Sequence, residues 1–155
     1  MKILKTILVT ALLLTVACGG GDTKKDASDN KAAKSTSESG LSAFQLEHGI
    51  GPITEVITAS GTDAAMIKKG EDIFVMNCSA CHKVGERYIG PDVQDIIDRR
   101  SPTYMMNMIL NPDEMVKKHP EARKVLAEFL APMPNQNLSQ EDARAVVEYL
   151  VSLKK

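Results

Sequence analysis

The most distinctive spacing of reactive side chains in this 155-residue chain is Cys-Ser-Ala-Cys-His, which contains Cys78, Cys81 and His82. A C-x-x-C-H pattern is typical of covalent haem attachment. Two intervening residues let both thiols reach the two vinyl groups of a haem from one short turn, and each thiol then forms a thioether. The adjacent histidine is aimed at the iron as its proximal ligand. The pattern therefore predicts one covalently bound haem c with its iron.

Three other chemistries use paired cysteines. A thioredoxin-like motif would need a βαβ setting, whereas the surrounding pattern is helical. A structural zinc site needs about four ligands, and the remaining histidines, His48 and His119, lack ligand-like spacing. A disulfide between Cys78 and Cys81 suits an exported chain but leaves His82 without a role. We therefore favour haem attachment.

The N-terminus, residues 1–17, has the pattern of a bacterial lipoprotein signal peptide. Lysines precede a mostly apolar run, residues 7–14, that is too short to span a bilayer. The run leads into Thr-Val-Ala and then Cys18, which resembles a lipobox whose cysteine is lipidated. An ordinary signal peptide cleaved near Ala17 is the alternative. In either case we expect export to the periplasmic side of the cell envelope, and lipid on Cys18 would anchor the chain to the membrane.

The rest of the chain divides by composition. Residues 18–40 lack large apolar side chains, so they cannot bury enough surface to offset the entropy of ordering, and we expect a disordered tether. Residues 41–60 are predicted to form an extended lead-in, and residues 61–155 a single folded domain. The formal net charge is −1. Without a strongly basic balance, nucleic acid is an improbable partner.

The folded domain is predicted to be all-α, because apolar residues recur at three- and four-residue spacings and no strand-like alternation persists. Ser139 is the expected N-cap of the last helix, which continues to the C-terminus. The other predicted helices are Asp63–Met76, Pro91–Arg99, Ser101–Leu110 and Pro112–Leu130, the last with a break at His119–Pro120. Gly70 inside the first helix costs about 1 kcal/mol relative to Ala. A close crossing by the last helix near Tyr149 would explain it.

From Asp63 to Lys155 these features resemble class I monohaem cytochrome c, in the family's order. They are Gly70 and Phe74, then CSACH, IGPDV, YMMNMILNPDEM and MPNQNLSQEDARAVVEYL. The resemblance implies a small helix bundle wrapped around one haem, with its N- and C-terminal helices crossing. It also implies a one-electron carrier and not an enzyme.

The resemblance also implies redox proteins as partners. The donor would be a quinol-oxidising complex or another cytochrome, and the acceptor a reductase or an oxidase. The stretch LEHGIGPITEV is similar to a segment of lipoprotein cytochromes encoded near nitrous oxide reductases. This narrower likeness favours nitrous oxide reductase as the acceptor, with a terminal oxidase second. A subunit that works only when docked to such a membrane complex is a further interpretation.

By the same resemblance, Cys78 and Cys81 hold the haem, His82 is the proximal ligand and Met133 is the distal ligand. The carbonyl of Pro91 would accept a hydrogen bond from the other ring nitrogen of His82. Met133 lies on a loop between two prolines, which limit backbone freedom and so lower the entropy lost on ligation.

Other assignments of the distal position remain open. They are Met115, which we expect in the haem pocket or the core, His119, which we expect to be solvated, and an open site. An open site would make the protein a haem enzyme or a gas-binding sensor. Arg99 and Arg100 are candidates to pair with haem propionates, although a solvated helix end is the slightly favoured interpretation. Tyr104 stands where many relatives have Trp near the haem edge.

Overall fold

The structure is a computed structural model that describes residues 40–155. In this range the chain forms six α-helices and one short 3-10 helix, without a β-strand, which confirms the all-α prediction. The helices are α1 (Ala43–His48), α2 (Ala64–Asn77), α3 (Pro102–Leu110), α4 (Pro112–Lys118), α5 (Pro120–Phe129) and α6 (Gln140–Ser152). The predicted signal peptide, the lipidation of Cys18 and the tether up to residue 39 lie outside the described residues. Between residues 40 and 155, none of the helices is both long and apolar enough to cross a bilayer.

The close crossing of α2 and α6 organises the bundle. Asp63 caps α2 by accepting hydrogen bonds from two backbone N–H groups at 3.0 Å. Ser139 caps α6 by accepting from the Asp142 N–H at 3.1 Å, as predicted. At the crossing, a β-carbon on Gly70 would overlap the carbonyl oxygen of Ala145 and lie 2.9 Å from the β-carbon of Tyr149. The glycine is therefore required by helix packing, which confirms the sequence interpretation.

The main core lies where α2, α3 and α6 meet. Phe74 from α2 packs with apolar side chains from the other two helices, and its ring centroid is 5.4 Å from that of Tyr149. Each large apolar side chain of this core contributes about 1.5–3 kcal/mol to the free energy of unfolding when it is fully buried. The buried members of this cluster are Phe74, Val93, Met105, Met106, Ile109, Ala143, Val146, Val147 and Leu150. The same residues supply much of one wall of the site described below.

The predicted helix over Pro91–Arg99 was wrong, since the chain forms only a 3-10 turn at Ile96–Asp98. Two local features prevent a helix. The Asp92 carboxylate accepts hydrogen bonds from the N–H groups of Gly85 at 2.7 Å and Gln94 at 2.8 Å, which fixes a loop. Asp95 then adopts a left-handed backbone conformation, with φ of 54°, which an α-helix cannot accommodate.

The predicted break at His119–Pro120 is confirmed, because α4 ends at Lys118 and α5 begins at Pro120. The expectation that His119 is solvated was wrong, since its side chain is only 1 % exposed. Its Nε2–H donates to the carbonyl oxygen of Leu46 at 3.1 Å, while Nδ1 has no hydrogen-bond partner among the described residues. Burial lowers the pKa of this imidazole below its ordinary value of 6.5.

The lead-in, residues 41–60, contains α1 and then runs without regular structure towards α2. Ser42 and Gln45 form a reciprocal capping box at the start of α1, at 3.2 Å and 3.0 Å. This S-x-x-Q pattern is a helix-start signal that the expectation of an extended segment overlooked. The segment packs along α3 and the joint between α4 and α5.

Gly70→Ala tests the helix crossing. We expect it to lower the free energy of unfolding by about 2 kcal/mol or more, because the new methyl group meets a backbone carbonyl that cannot rotate away. Denaturant titration of the holoprotein would measure this. Exposed Glu71→Ala on the same helix is the control, with a change below about 0.5 kcal/mol. A stabilised Gly70→Ala variant would contradict the close crossing.

The burial of His119 predicts a dependence of stability on pH. Because the folded-state pKa lies below 6.5, the unfolded chain takes up this proton first as the pH falls. The contribution of the buried His119 to stability is thus fully present above about pH 6.5. Below that pH, the free energy of unfolding falls by up to about 1.4 kcal/mol per pH unit. Denaturant titrations between about pH 7 and pH 5 should show this slope in the wild type and a flatter profile in His119→Gln. If stability falls with pH equally steeply in the wild type and in His119→Gln, the assignment of this slope to His119 is contradicted.

Candidate functional site

An apolar cleft in the described domain gathers the candidate residues from distant parts of the chain. Cys78, Cys81, His82 and Met133 all line it. The remaining walls come from α2, the loop before α3, and the four helices α3 to α6. Their lining side chains include Phe74, Ile89, Val93, Ile96, Tyr104, Met105, Met108, Ile109, Val116, Ala122, Val125, Leu126, Phe129, Val146 and Leu150. The cleft is therefore a mostly apolar enclosure with a few chemically distinctive groups.

The C-x-x-C-H segment forms a tight turn directly after α2. The backbone N–H groups of Cys81 and His82 both donate to the carbonyl oxygen of Cys78, at 3.0 Å and 2.9 Å. This turn brings both cysteines and the imidazole to one cleft, as covalent attachment of a single planar group requires. Gly90 closes the turn from the other side, since its N–H donates to the Cys81 carbonyl oxygen at 2.8 Å.

The thiol chemistry separates the alternatives left by the sequence. Burial, with a smaller contribution from the neighbouring Cys81, raises the pKa of the Cys78 thiol to about 11. A thioredoxin-like motif works through a thiol of lowered pKa, so this environment opposes it. No disulfide joins Cys78 and Cys81 in this structure. No group of three His, Cys, Asp or Glu side chains suited to a metal occurs between residues 40 and 155, which opposes a structural zinc site in that range.

The imidazole of His82 is held in one orientation. Its Nδ1 lies 3.0 Å from the carbonyl oxygen of Pro91. Because a carbonyl can only accept, Nδ1 carries the proton and Nε2 keeps the lone pair that a metal ion needs. Gly90 lies against the ring, where a β-carbon would come within 2.7 Å of Cε1. This contact, which the sequence did not reveal, requires a residue without a side chain.

Met133 lies on the loop between α5 and α6. Its side chain is partly buried and packs against the main core, whereas Pro132 and Pro134 on either side are exposed. Leu130 ends α5 in a left-handed conformation, with φ of 54°, and turns the chain into this loop. The loop therefore brings Met133 to the cleft, which the exposed Pro132 and Pro134 also line.

The two rival distal donors lie elsewhere. Met115 is fully buried, and its sulfur accepts a hydrogen bond from the Ile50 N–H at 3.1 Å. His119 donates to Leu46, as described above, and neither residue lines the cleft. Of the three candidate donors, the structure thus brings Met133 to the same cleft as His82.

A cationic group stands at one edge of the cleft. Arg100 lines it, pairs with Glu121 at 3.2 Å and lies 5.0 Å from the centre of the Tyr104 ring. Arg99 differs, because its guanidinium donates to two backbone carbonyls of the preceding loop, those of Asp92 and Gln94. Arg100 is therefore the better placed of the two to meet an anionic group in the cleft.

The wall formed by α5 is a part of the site that the sequence interpretation did not assign. Ala122, Val125, Leu126 and Phe129 share one face of this helix and all line the cleft. Their spacing of three, four and seven residues was the available signal. Arg87 reaches across from the loop after Cys78–His82, with its guanidinium 4.1 Å from the Phe129 ring centre and paired with Glu128.

These donors fit a haem. Two thiols can form thioethers, an oriented imidazole and a thioether can bind iron, apolar walls can enclose the macrocycle, and an arginine can meet a propionate. Gly90 packs directly against the ring of His82, where any side chain would collide with it. This close packing suits an imidazole that is held in one orientation.

The sequence matches the cytochrome c family over residues 67–154. Among solved structures, cytochrome c from Rhodothermus marinus is 41% identical, with a TM-score of 0.65, and the match covers 70% of this chain and 95% of that chain. An engineered cytochrome c from Rhodothermus marinus, Rma TDE, is 40% identical over 70% of this chain and 96% of that chain, with a TM-score of 0.64. The same engineered protein bound to a carbene intermediate is 41% identical over the same shares, with a TM-score of 0.62.

No curated protein sequence matches the chain significantly. The family match spans more than half of the chain, and the Rhodothermus marinus protein is matched over nearly its whole length. Together with the cleft and its donors, these matches show that the chain belongs to the cytochrome c family, the haem c proteins that carry electrons.

Proposed function

We propose that this protein is a one-electron carrier in which Cys78 and Cys81 hold the haem and His82 and Met133 are the axial ligands of its iron. When bound, the haem supplies an iron that alternates between Fe(II) and Fe(III). The observation that carries the proposal is the meeting of an oriented imidazole and a loop thioether in one apolar cleft. Met115 and His119, the rival donors, are held outside that cleft.

Each residue has a separate task. The Pro91 carbonyl fixes the ring of His82 and, by accepting a hydrogen bond from its Nδ1–H, increases the donor strength of Nε2. Met133 supplies a neutral thioether, and a His/Met pair gives a higher reduction potential than two histidines. The prolines beside Met133 restrict its loop, and the apolar walls keep water away from the iron. A site held this firmly changes geometry little between oxidation states, as a carrier requires.

The partners we propose are redox proteins. A quinol-oxidising complex or another cytochrome would supply the electron. Nitrous oxide reductase is our favoured acceptor, and its support is the stretch LEHGIGPITEV, with a terminal oxidase second. Electron-transfer contacts are small and transient, and the formal net charge of −1 does not select the charge of a partner surface.

The proposed location is the periplasmic side of the cell envelope, with lipid on Cys18 as the anchor. Its support is the sequence of residues 1–18 alone. A tether over residues 18–40 would let the domain reach partners while it stays close to the membrane.

Met133→Ala tests the distal ligand. We expect the ferric protein to lose its weak far-red sulfur-to-iron absorption and the reduction potential to fall by on the order of 100 mV. Absorption spectra and a redox titration measure these changes. Met108→Ala is the matched control, because Met108 lines the same cleft from α3 and should keep the absorption.

Carbon monoxide binding to the same samples tests the alternative function, a haem enzyme or gas-binding sensor. If the ferrous wild type binds carbon monoxide rapidly with Met133 intact, the iron has an open site and the carrier proposal fails.

Cys18→Ser tests the anchor. We expect the wild type to sediment with membranes and to resist a high-salt wash, because the lipid holds it, and the variant to move to the soluble periplasmic fraction with its haem content unchanged. Fractionation with haem staining measures this. A wild-type protein that is already soluble would indicate an ordinary signal peptide and exclude the anchor.

A further inference from the structure

The lead-in, residues 41–60, lies behind the cleft wall and is bound to it through buried side chains. Asn107 on α3 is fully buried. Its Nδ2 donates to the carbonyl oxygens of His48 and Ile53, and its Oδ1 accepts from the Ile53 N–H, all at 3.0 Å. Gly51 packs on the same amide, where a β-carbon would overlap Oδ1 and lie 2.9 Å from Cγ. A fully paired amide of this kind fixes the relative position of two segments.

Further contacts continue along α3 to the joint between α4 and α5. Thr103 accepts from the Ile57 N–H at 2.9 Å and is fully buried. The bonds of Met115 to Ile50 and of His119 to Leu46, described above, complete the row. These wall residues all face the lead-in, and none of them lines the cleft.

The other side of the same helices is the cleft wall. Met105, Met108 and Ile109 of α3 line the cleft, as do Val116 of α4 and the apolar face of α5. The wall is thus one layer thick, with the cleft on one side and the lead-in on the other. A displacement of the lead-in would be felt directly at the cleft, because close-packed layers transmit strain.

The loop that carries Met133 is itself weakly tied to its surroundings. Asn135 donates to the carbonyl oxygen of Leu110, at the end of α3, and Asn77 donates to Gln136. Both distances are 3.4 Å, longer than a good hydrogen bond. The position of the loop therefore depends on the helices beside it, above all on α2 and α3.

We propose that the lead-in is a brace that keeps Met133 on the iron, an inference that rests on the axial ligation proposed above. Gly51, Thr103 and Asn107 are positioning residues, since they touch neither the cleft nor its donors. A thioether is a weak donor. In this proposal the Met133 thioether stays bound in competition with stronger ligands because the brace keeps the cleft wall and the loop from moving. The brace lies outside the family match, which begins at residue 67.

The test measures the dissociation constant of imidazole that displaces the Met133 thioether in the ferric holoprotein. Loss of the far-red absorption reports the displacement. In Gly51→Ala the new methyl group pushes the lead-in off Asn107, and we expect the dissociation constant for imidazole to fall about tenfold. Thr103→Val keeps the shape of the side chain but removes its hydrogen bond, and we expect a fall of about threefold. This milder variant serves if Gly51→Ala does not fold.

Asp63→Ala is the matched control. It removes the N-cap of α2, far from the cleft, and lowers global stability in a comparable way. We expect its dissociation constant for imidazole to stay within about twofold of the wild type. A stability effect alone would move all three variants together.

The outcomes are distinct. If the wild type shows the far-red absorption but neither brace variant binds imidazole more tightly than Asp63→Ala, the brace is wrong and the axial ligation stands. If the wild type lacks that absorption, the Met133 ligation fails and the brace fails with it.

Discussion

The close crossing of α2 and α6 at Gly70 is the constraint on which the rest of the structure depends. The chain leaves one end of α2 directly into the turn that carries the two cysteines and His82, and it enters α6 directly from the loop that carries Met133. The close contact at Gly70 therefore sets the separation between the turn with Cys78, Cys81 and His82 and the loop with Met133. These four residues lie on turns and loops, but helices that pack around one core position them.

Around this crossing the domain is built in layers. The cleft has apolar walls from α3, α5 and α6, and the imidazole of His82 is fixed by a backbone carbonyl and by the absence of a side chain at Gly90. The lead-in forms an outer layer over α3 and the α4–α5 joint. Buried hydrogen bonds with Asn107 and Thr103 attach it, and none of its residues lines the cleft. Such an arrangement suits a carrier, because electron exchange is fastest where the donor set does not rearrange.

Local patterns made much of this predictable. Four features could be interpreted from a few neighbouring residues: the C-x-x-C-H spacing, the proline-flanked Met133, the N-cap at Ser139 and the glycine in the first helix. The structure places all four in one domain, as the sequence indicated. His119 and Met115 could not be read in this way. Their partners, Leu46 and Ile50, are more than sixty residues away, and those contacts turn a histidine that looked solvated into a buried one. The helix predicted over Pro91–Arg99 failed because the Asp92 carboxylate fixes a loop there and Asp95 adopts a left-handed conformation.

The central claim is that His82 and Met133 both bind the iron, and X-ray absorption at the iron edge of the holoprotein tests it most directly. The account predicts one sulfur donor in the first coordination shell, alongside nitrogen donors only, with nearly the same distances in the ferric and ferrous states. A first shell without sulfur, or a sulfur donor that is present in one oxidation state and lost in the other, would contradict it.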